Sequence, residues 1–310
     1  MLDHRLTVLR TLAACGTVTA AAEALGYSPS AVSSQLREYQ RGLGVPLVER
    51  DGRGLVLTAA GKRLVERSDE LLALWEGVEG DVRAAAGDAA PAELRMGGFS
   101  TATASLISPV AARLRAREPG LSVHIVEADP RRCLELLSAR RLDLAIIVAM
   151  HTPGGAEPRP TEEIPLLDDP LDVLLPEDHP LAGRAALSLE ELGEEDWITD
   201  RVGTPYRALF ATAFTAAGAT PRVVHEVSDW GSQEALVSDG LGVAFVPRLV
   251  RSSADARAVR VPLSGPSAPS RRVLAVVREG SLARPVLARA VEALREAAAQ
   301  HAAVPPAGDG

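Results

Sequence analysis

Four serines crowd the start of one predicted helix, Ser28, Ser30, Ser33 and Ser34, and Gln35 and Arg37 follow them. Small hydroxyl side chains let a helix N-terminus come close to phosphates and base edges, and its free N–H groups and dipole favour anions there. Glutamine can make paired hydrogen bonds to adenine, and arginine can reach guanine or a phosphate. Thr17, Pro29, Arg50 and Arg53 complete the candidate DNA-binding set, the two arginines suiting phosphate or minor-groove contact. Taken singly, Ser28 serves equally well as an ordinary helix cap. It is the set that points to double-stranded DNA.

Catalytic chemistry has no comparable constellation. Gly97-Gly98-Phe99-Ser100 lacks the glycine that a nucleophile elbow needs after its serine, and Gly240-Leu241-Gly242 lacks the third glycine and acidic partner of a dinucleotide site. His225-Glu226 has no second histidine four residues after the first. Glu190, Glu191, Glu194, Glu195 and Asp196 read as a solvated face. The six histidines are scattered, and Cys15 and Cys133 sit apart in apolar, helix-like contexts, as buried structural thiols do. A peroxide sensor would need a reactive cysteine and a resolving partner nearby, and Cys133 has none in sequence. No catalytic residue, metal or cofactor is expected.

The elements that must position the DNA-reading groups are short helices. Asp3 caps a helix with Leu6, Leu9, Leu12 and Ala13 on its apolar face, closed by Gly16. Thr17 caps an alanine-rich helix over 19–25 that ends at Gly26. Ser28 caps a third, with Pro29 at its first position, running to about Leu43 with Ala31, Val32, Leu36 and Tyr39 on one face. Two helices joined by the tight turn Gly26-Tyr27 make a helix-turn-helix. The strand-like runs 47–50 and 55–57 around Asp51-Gly52-Arg53-Gly54 predict a hairpin wing. Thr58 caps a long helix from about Ala59 to Ala86, on which Leu64, Leu71, Trp75, Val78 and Val82 form a dimerisation seam that Ser68 interrupts.

After a small-residue hinge at 87–91, strands alternate with helices: 94–97, a helix over 103–117, 122–127, a helix over 132–140, and 142–148. A Pro/Gly-rich crossover at 150–165 precedes a second set: 171–175, a helix over 205–217, 223–227, a helix over 231–238, and 243–246. A strand at 272–277 and a helix at 284–300 lead back to the first lobe. This alternation predicts an α/β body with a parallel sheet and helices on both faces.

The chain has 310 residues, 46% hydrophobic and 24% charged, enough for two domains. Its net charge of −8 argues against a DNA binder until its distribution is read. Residues 1–67 carry nine basic and six acidic side chains, an excess of three positive charges on an acidic body. No apolar run reaches the roughly 20 residues of a spanning helix, and the first ten residues lack a signal-peptide layout. A cytoplasmic protein without membrane contact is expected.

Read in order, Thr19–Gly26, Ser28-Pro29-Ser30-Ala31-Val32-Ser33, Leu43-Gly44-Val45-Pro46-Leu47, Glu49-Arg50, Arg53 and Leu57-Thr58-Ala59-Ala60-Gly61 closely resemble the head of the LysR-type transcriptional regulators. Pro29-Ser30 stands where Gln-Pro is common, on the reading helix. Val48 replaces a frequent phenylalanine, and Tyr39-Gln40 a frequent Leu-Glu. The body resembles the family's effector domain through Leu94-Arg95-Met96-Gly97, Leu142-Asp143-Leu144-Ala145, His179-Pro180-Leu181 and Gly240-Leu241-Gly242-Val243. The resemblance implies a winged helix-turn-helix over 1–58, a linker helix over 59–88 and a bilobed, periplasmic-binding-protein-like effector domain over 89–302. Lobe one would take about 92–160 and 266–302, lobe two about 161–265, and 303–310 a disordered tail. It further implies an inverted-repeat operator, self-association as dimer or tetramer, RNA polymerase as partner of an activator, and a small-molecule effector between the lobes. By family position the effector-binding residues are Ser100, Thr101, Thr103, Val148, Thr199, Arg201 and Phe245, and Arg201 with a helix dipole suggests an anionic ligand.

A rival reading makes the body a solute-binding module or a small-molecule enzyme fused to a helical dimerisation head. It predicts turnover, or ligand binding with no affinity for an operator.

Overall fold

A computed structural model describes residues 3–51, 54–86, 93–149, 161–253 and 255–302. The head begins with α1 (His4–Cys15), α2 (Val18–Leu25) and α3 (Pro29–Leu43). Each start is capped by the side chain the sequence offers: Asp3 accepts from the Arg5 N–H, Thr17 from Ala20, and Ser28 from Ala31. Each end closes on a left-handed glycine, Gly16, Gly26 or Gly44. The three helices bury Leu6, Leu9, Leu12, Ala21, Ala24, Val32 and Leu36 against one another. Ala13, expected on the inner face, is exposed, and Val8 and Thr11 are buried instead.

The wing is β1 (Val48–Asp51) paired antiparallel with β2 (Gly54–Leu57). Gln40 Oε1 accepts from the backbone N–H of Leu47 (2.8 Å) and Val48 (3.1 Å), tying α3 to the wing. Thr58 ties the wing to α4 (Ala59–Ala86): its hydroxyl donates to Pro46 O at 2.8 Å, its N–H to Leu47 O at 3.1 Å, and its oxygen accepts from the Gly61 N–H. One side of α4 completes the head core, with Leu72 buried and Leu64 and Val65 packed on it. Leu64 therefore serves the head core and is a correction to the expected seam. Ser68 is buried and bonds back to Val65 O. Leu71, Val78 and Val82 stand exposed with Leu74, which the sequence reading left out, and Trp75 is half-buried.

The chain divides into two compact units. The first takes the described residues of Met1–Ile147, His151–Pro165 and Leu274–Ala297, and the second those of Val148–Met150, Leu166–Val273 and Ala298–Gly310. In the first unit, β3 (Glu93–Gly98) lies between β4 (Ser122–Glu127) and β5 (Leu144–Val148), all parallel. The crossovers are α7 (Pro130–Ser138) and a run made of α5 (Ser100–Ala102), a π-turn over Thr103–Ile107 and α6 (Ser108–Arg117). This run starts three residues before the expected Thr103. Its π-turn, closed by Ser108 N–H to Thr103 O, has a covalent cause. Pro109 has no N–H to give the Ser105 carbonyl and its ring crowds that turn, so the helix widens by one residue.

The second unit holds β7 (Asp196–Thr199), parallel to both β8 (Arg222–Glu226) and β9 (Val243–Pro247). Its helices are α8 (Pro205–Ala216) and α9 (Trp230–Ser238). The sheet is not wholly parallel as predicted: β6 (Thr161–Pro176) runs antiparallel to β9, and β10 (Ala258–Pro262) antiparallel to β6. A βα crossover dictates parallel pairing, but β6 arrives from the first unit and is free of that constraint. β6 also begins at Thr161, inside the stretch expected to be an exposed crossover; the remainder of that stretch, the 87–91 hinge and the tail lie outside the described residues. β11 (Ser270–Arg278) carries the chain back, and α10 (Pro285–Ala302) closes the fold.

Candidate functional site

Capping geometry builds the N-terminal end of α3, where the candidate DNA-binding residues lie. Ser28 holds the Ala31 N–H at 3.2 Å and shares a 2.9 Å contact with the Ser30 hydroxyl, so part of the polar array is already used within the helix start. Ser28, Pro29, Ser30, Ser34 and Arg37 are exposed, and Ser33 is half-buried. Thr17 is exposed at the start of α2, and Arg50 is exposed on β1. Gln35 is turned inward: its Oε1 is buried with no hydrogen-bond partner among the described residues. A paired contact to adenine therefore requires that amide to rotate outward. Arg53 lies outside the described residues.

The expected effector residues fall on strand ends and helix starts of both units. Ser100 is exposed at the start of α5, Thr101 is buried, and the Thr103 hydroxyl donates to Gly98 O at 3.1 Å. A Cβ at Gly98 would meet Ile107 Cδ1 at 2.9 Å, so glycine there lets the π-turn press against the strand end. Val148 closes β5, half-buried.

In the second unit Thr199 ends β7 with its hydroxyl oxygen buried and without a partner among the described residues. Arg201 is exposed, and its backbone N–H donates to Asp200 Oδ1 at 2.7 Å; the Ser228 hydroxyl donates to the same oxygen. Arg207 reaches Asp200 O at 3.2 Å and Glu226 at 3.5 Å. Phe245 does not wall a site. It is fully buried, with its ring 4.7 Å from that of Trp197 and 5.3 Å from that of Phe210. Strand alternation aims it at the core. The sequence reading missed Gln233, which is 2% exposed: Nε2 donates to Val227 O at 2.6 Å, and Oε1 is left buried beside no partner among the described residues. The signal was Asp229, whose cap on Ser232 fixes the start of α9 and puts Gln233 in its first turn.

No described helix is long and apolar enough to cross a membrane, and no described group of three His, Cys, Asp or Glu could hold a metal ion. A winged helix-turn-helix on a long linker helix, continued by α/β segments with polar strand ends in both units, is the architecture of a ligand-responsive DNA-binding regulator.

Residues 4–62 match the bacterial regulatory helix-turn-helix protein, lysR family, and residues 88–299 match the LysR substrate binding domain. The chain belongs to the LysR family of transcriptional regulators, DNA-binding proteins and not enzymes. It is 31% identical over 252 residues to the HTH-type transcriptional regulator YvbU of Bacillus subtilis (strain 168), covering 80% of this chain and 82% of that one. It is 30% identical over 231 residues to the "Probable hydrogen peroxide-inducible genes activator" of Mycobacterium avium, covering 74% and 72%. Among solved structures, a full-length OxyR variant from Pseudomonas aeruginosa superposes with a TM-score of 0.65 at 26% identity, over 96% of this chain and 94% of that one.

The peroxide-related name of one relative sharpens the question of the cysteines. Both are buried. Cys133 is fully buried on α7 with Sγ donating to Ala128 O at 3.5 Å, and burial, helped by the Asp129 charge, pushes its thiol up to about 12. Peroxide reacts with thiolate, which is scarce at neutral pH in such a group. We expect the folded protein to resist sulfenate labelling by dimedone after a brief exposure to peroxide, and Cys133→Ala to leave DNA binding unchanged. Rapid stoichiometric labelling of folded Cys133 would refute this.

Proposed function

We propose that this regulator binds an inverted-repeat operator as a dimer or a tetramer, each head inserting the N-terminal turn of α3 into the major groove. The observation that carries the reading is that exposed end itself: Ser28, Ser30 and Ser34 stand beside Arg37, with the capping cascade of Thr17 and Ser28 fixing the helices behind them. Ser33 and, after rotation, Gln35 extend the contact. Arg50 and Arg53 reach phosphates or the adjacent minor groove. The exposed row of Leu71, Leu74, Val78 and Val82 on α4 supports self-association, because an apolar stripe on a long helix is stable only when covered. Such a protein acts in the cytoplasm and, as an activator, contacts RNA polymerase.

The effector is a small, anionic molecule, for which the candidate contacts, taken unit by unit, are Ser100, Thr101 and Thr103 in the first and Val148, Thr199 and Arg201 in the second. Arg201 and the N-terminus of α8 supply positive potential, while the Asp200 carboxylate is already engaged by Ser228. Ligand shifts the regulator between states only to the extent that it binds them unequally.

The test is a gel-shift titration against DNA from upstream of the protein's own gene, with unrelated duplex as competitor. Arg50→Ala should weaken binding and lower the slope of log K against log salt by about one. A slope equal to that of the parent protein would remove Arg50 from the phosphate-contact set. Loss of unrelated and cognate binding in equal measure would be expected, since a phosphate contact carries no sequence information.

A further inference from the structure

We infer that helix α7 of the first unit is a clamp on the DNA-reading head, through which the body of the chain restrains its own helix-turn-helix. Two contacts converge on the C-terminal end of α2, immediately before the turn into the reading helix, and a third enters the core of the head. Arg141, just beyond α7, points Nη1 at the carbonyl oxygens of Glu23 (3.4 Å) and Ala24 (3.3 Å). These are last-turn carbonyls of α2, where a cation also meets the negative end of the helix dipole. Arg132 on α7 pairs with the Glu23 carboxylate at 3.6 Å. Ala139, at the end of α7, is buried within the apolar core of the head. An exposed ion pair alone contributes little, but here one cation on a short helix acts together with a buried methyl group and a second cation in the corner that directly follows it.

The corner that carries Ala139 and Arg141 is itself fixed to the body. Arg278 on β11 donates to Leu137 O at 3.2 Å and also to Leu142 O, on either side of Arg140, which has a positive φ of 59°. The Arg95 N–H donates to the Asp143 carboxylate at 2.9 Å, holding the end of this corner on β3. At the start of α7, Ala128 N–H donates to Gly98 O, the same carbonyl that receives the Thr103 hydroxyl. α7 and its flanking residues thus touch both the strand-end backbone of the proposed effector edge and the head. The body also touches α4 at the turn Ser281–Ala283, a second point of restraint. The regulatory consequence rests on the reading as a DNA-binding regulator; the restraint itself does not.

Hydrogen exchange on the full chain reads the restraint directly. In the parent protein the Gly26 and Tyr27 amides donate to the last carbonyls of α2. In Arg141→Ala these two amides should exchange about tenfold faster, while β3 and β5 amides keep their rates. Glu23→Ala, which keeps the carbonyl that Arg141 meets and removes only the Arg132 pair, should speed exchange of the Arg132 and Cys133 amides at the start of α7. Reciprocity between the two sides marks coupling. Exchange unchanged across the contact in both variants overturns the clamp. Operator titration reads the consequence: a head freed to sample more orientations must lose more freedom on binding, so Arg141→Ala should bind at least threefold more weakly. Faster exchange with an unchanged operator affinity overturns the regulatory role. If the parent protein itself shifts no DNA specifically, the regulator reading fails while the exchange result still decides the restraint.

Discussion

Adding one methyl group at position 61 is expected to destroy operator binding. A Cβ on Gly61 would lie 2.0 Å from Leu47 O and 3.0 Å from its carbonyl carbon, both backbone atoms that no rotamer change can move. The same Leu47 carbonyl accepts the Thr58 N–H, and the Thr58 side chain bonds Pro46 O, so the joint between wing and linker helix would have to open. Replacing glycine by alanine inside a helix ordinarily gains about 1 kcal/mol. Overpacking against fixed atoms costs about 1–3 kcal/mol or more and here wins. Gly77 on the same helix has nothing within 4 Å of its Cβ position and is the internal control. Gly77→Ala should leave the head as stable or stabilise it by up to about 1 kcal/mol. Thermal unfolding followed by far-ultraviolet circular dichroism, with gel shifts on both variants, makes the comparison. Equal melting and equal DNA affinity for Gly61→Ala and Gly77→Ala would show that the joint yields.

The second large effect lies in the other unit. Three of the four phenylalanines of a chain with 3% aromatic residues gather round Trp197: Phe210, Phe214 and Phe245, at ring distances of 5.4, 5.0 and 4.7 Å. Trp197→Ala leaves a large void there and should cost about 3–5 kcal/mol. Against a typical total of about 5–15 kcal/mol this lowers the melting transition of the second unit by on the order of 10–20 °C. Since the head lies in the first unit, operator binding at about 25 °C should persist. Loss of DNA binding in step with the second unit would refute that independence, and a cost below about 1 kcal/mol would show that the cluster refills the space.

Local chemistry made the head readable without coordinates. Asp3, Thr17 and Ser28 cap, Gly16, Gly26 and Gly44 terminate, and Pro29 starts a helix, because each acts on backbone groups within a few residues of itself. The long linker helix and the order of strands and helices were equally legible from periodicity and turn residues. The candidate DNA-facing serines were legible too, being a helix start with nothing apolar to bury. That an α3 side chain such as Gln35 turns inward was not, since rotamers answer to neighbours from other elements.

What tertiary structure alone decided is which contact each face makes. Periodicity put Leu64 with Leu71 on one seam, but the head core claimed Leu64, and alternation along β9 buried Phe245 among rings far away in sequence. The antiparallel course of β6, the partnerless oxygens of Thr199 and Gln233, and the grip of Arg141 on the carbonyls of Glu23 and Ala24 likewise depend on groups brought together across long loops of chain. Hydrogen-bonding and capping preferences are written in adjacent residues. The partner that a buried side chain meets across more than a hundred residues is set by packing, and packing is a property of the whole fold.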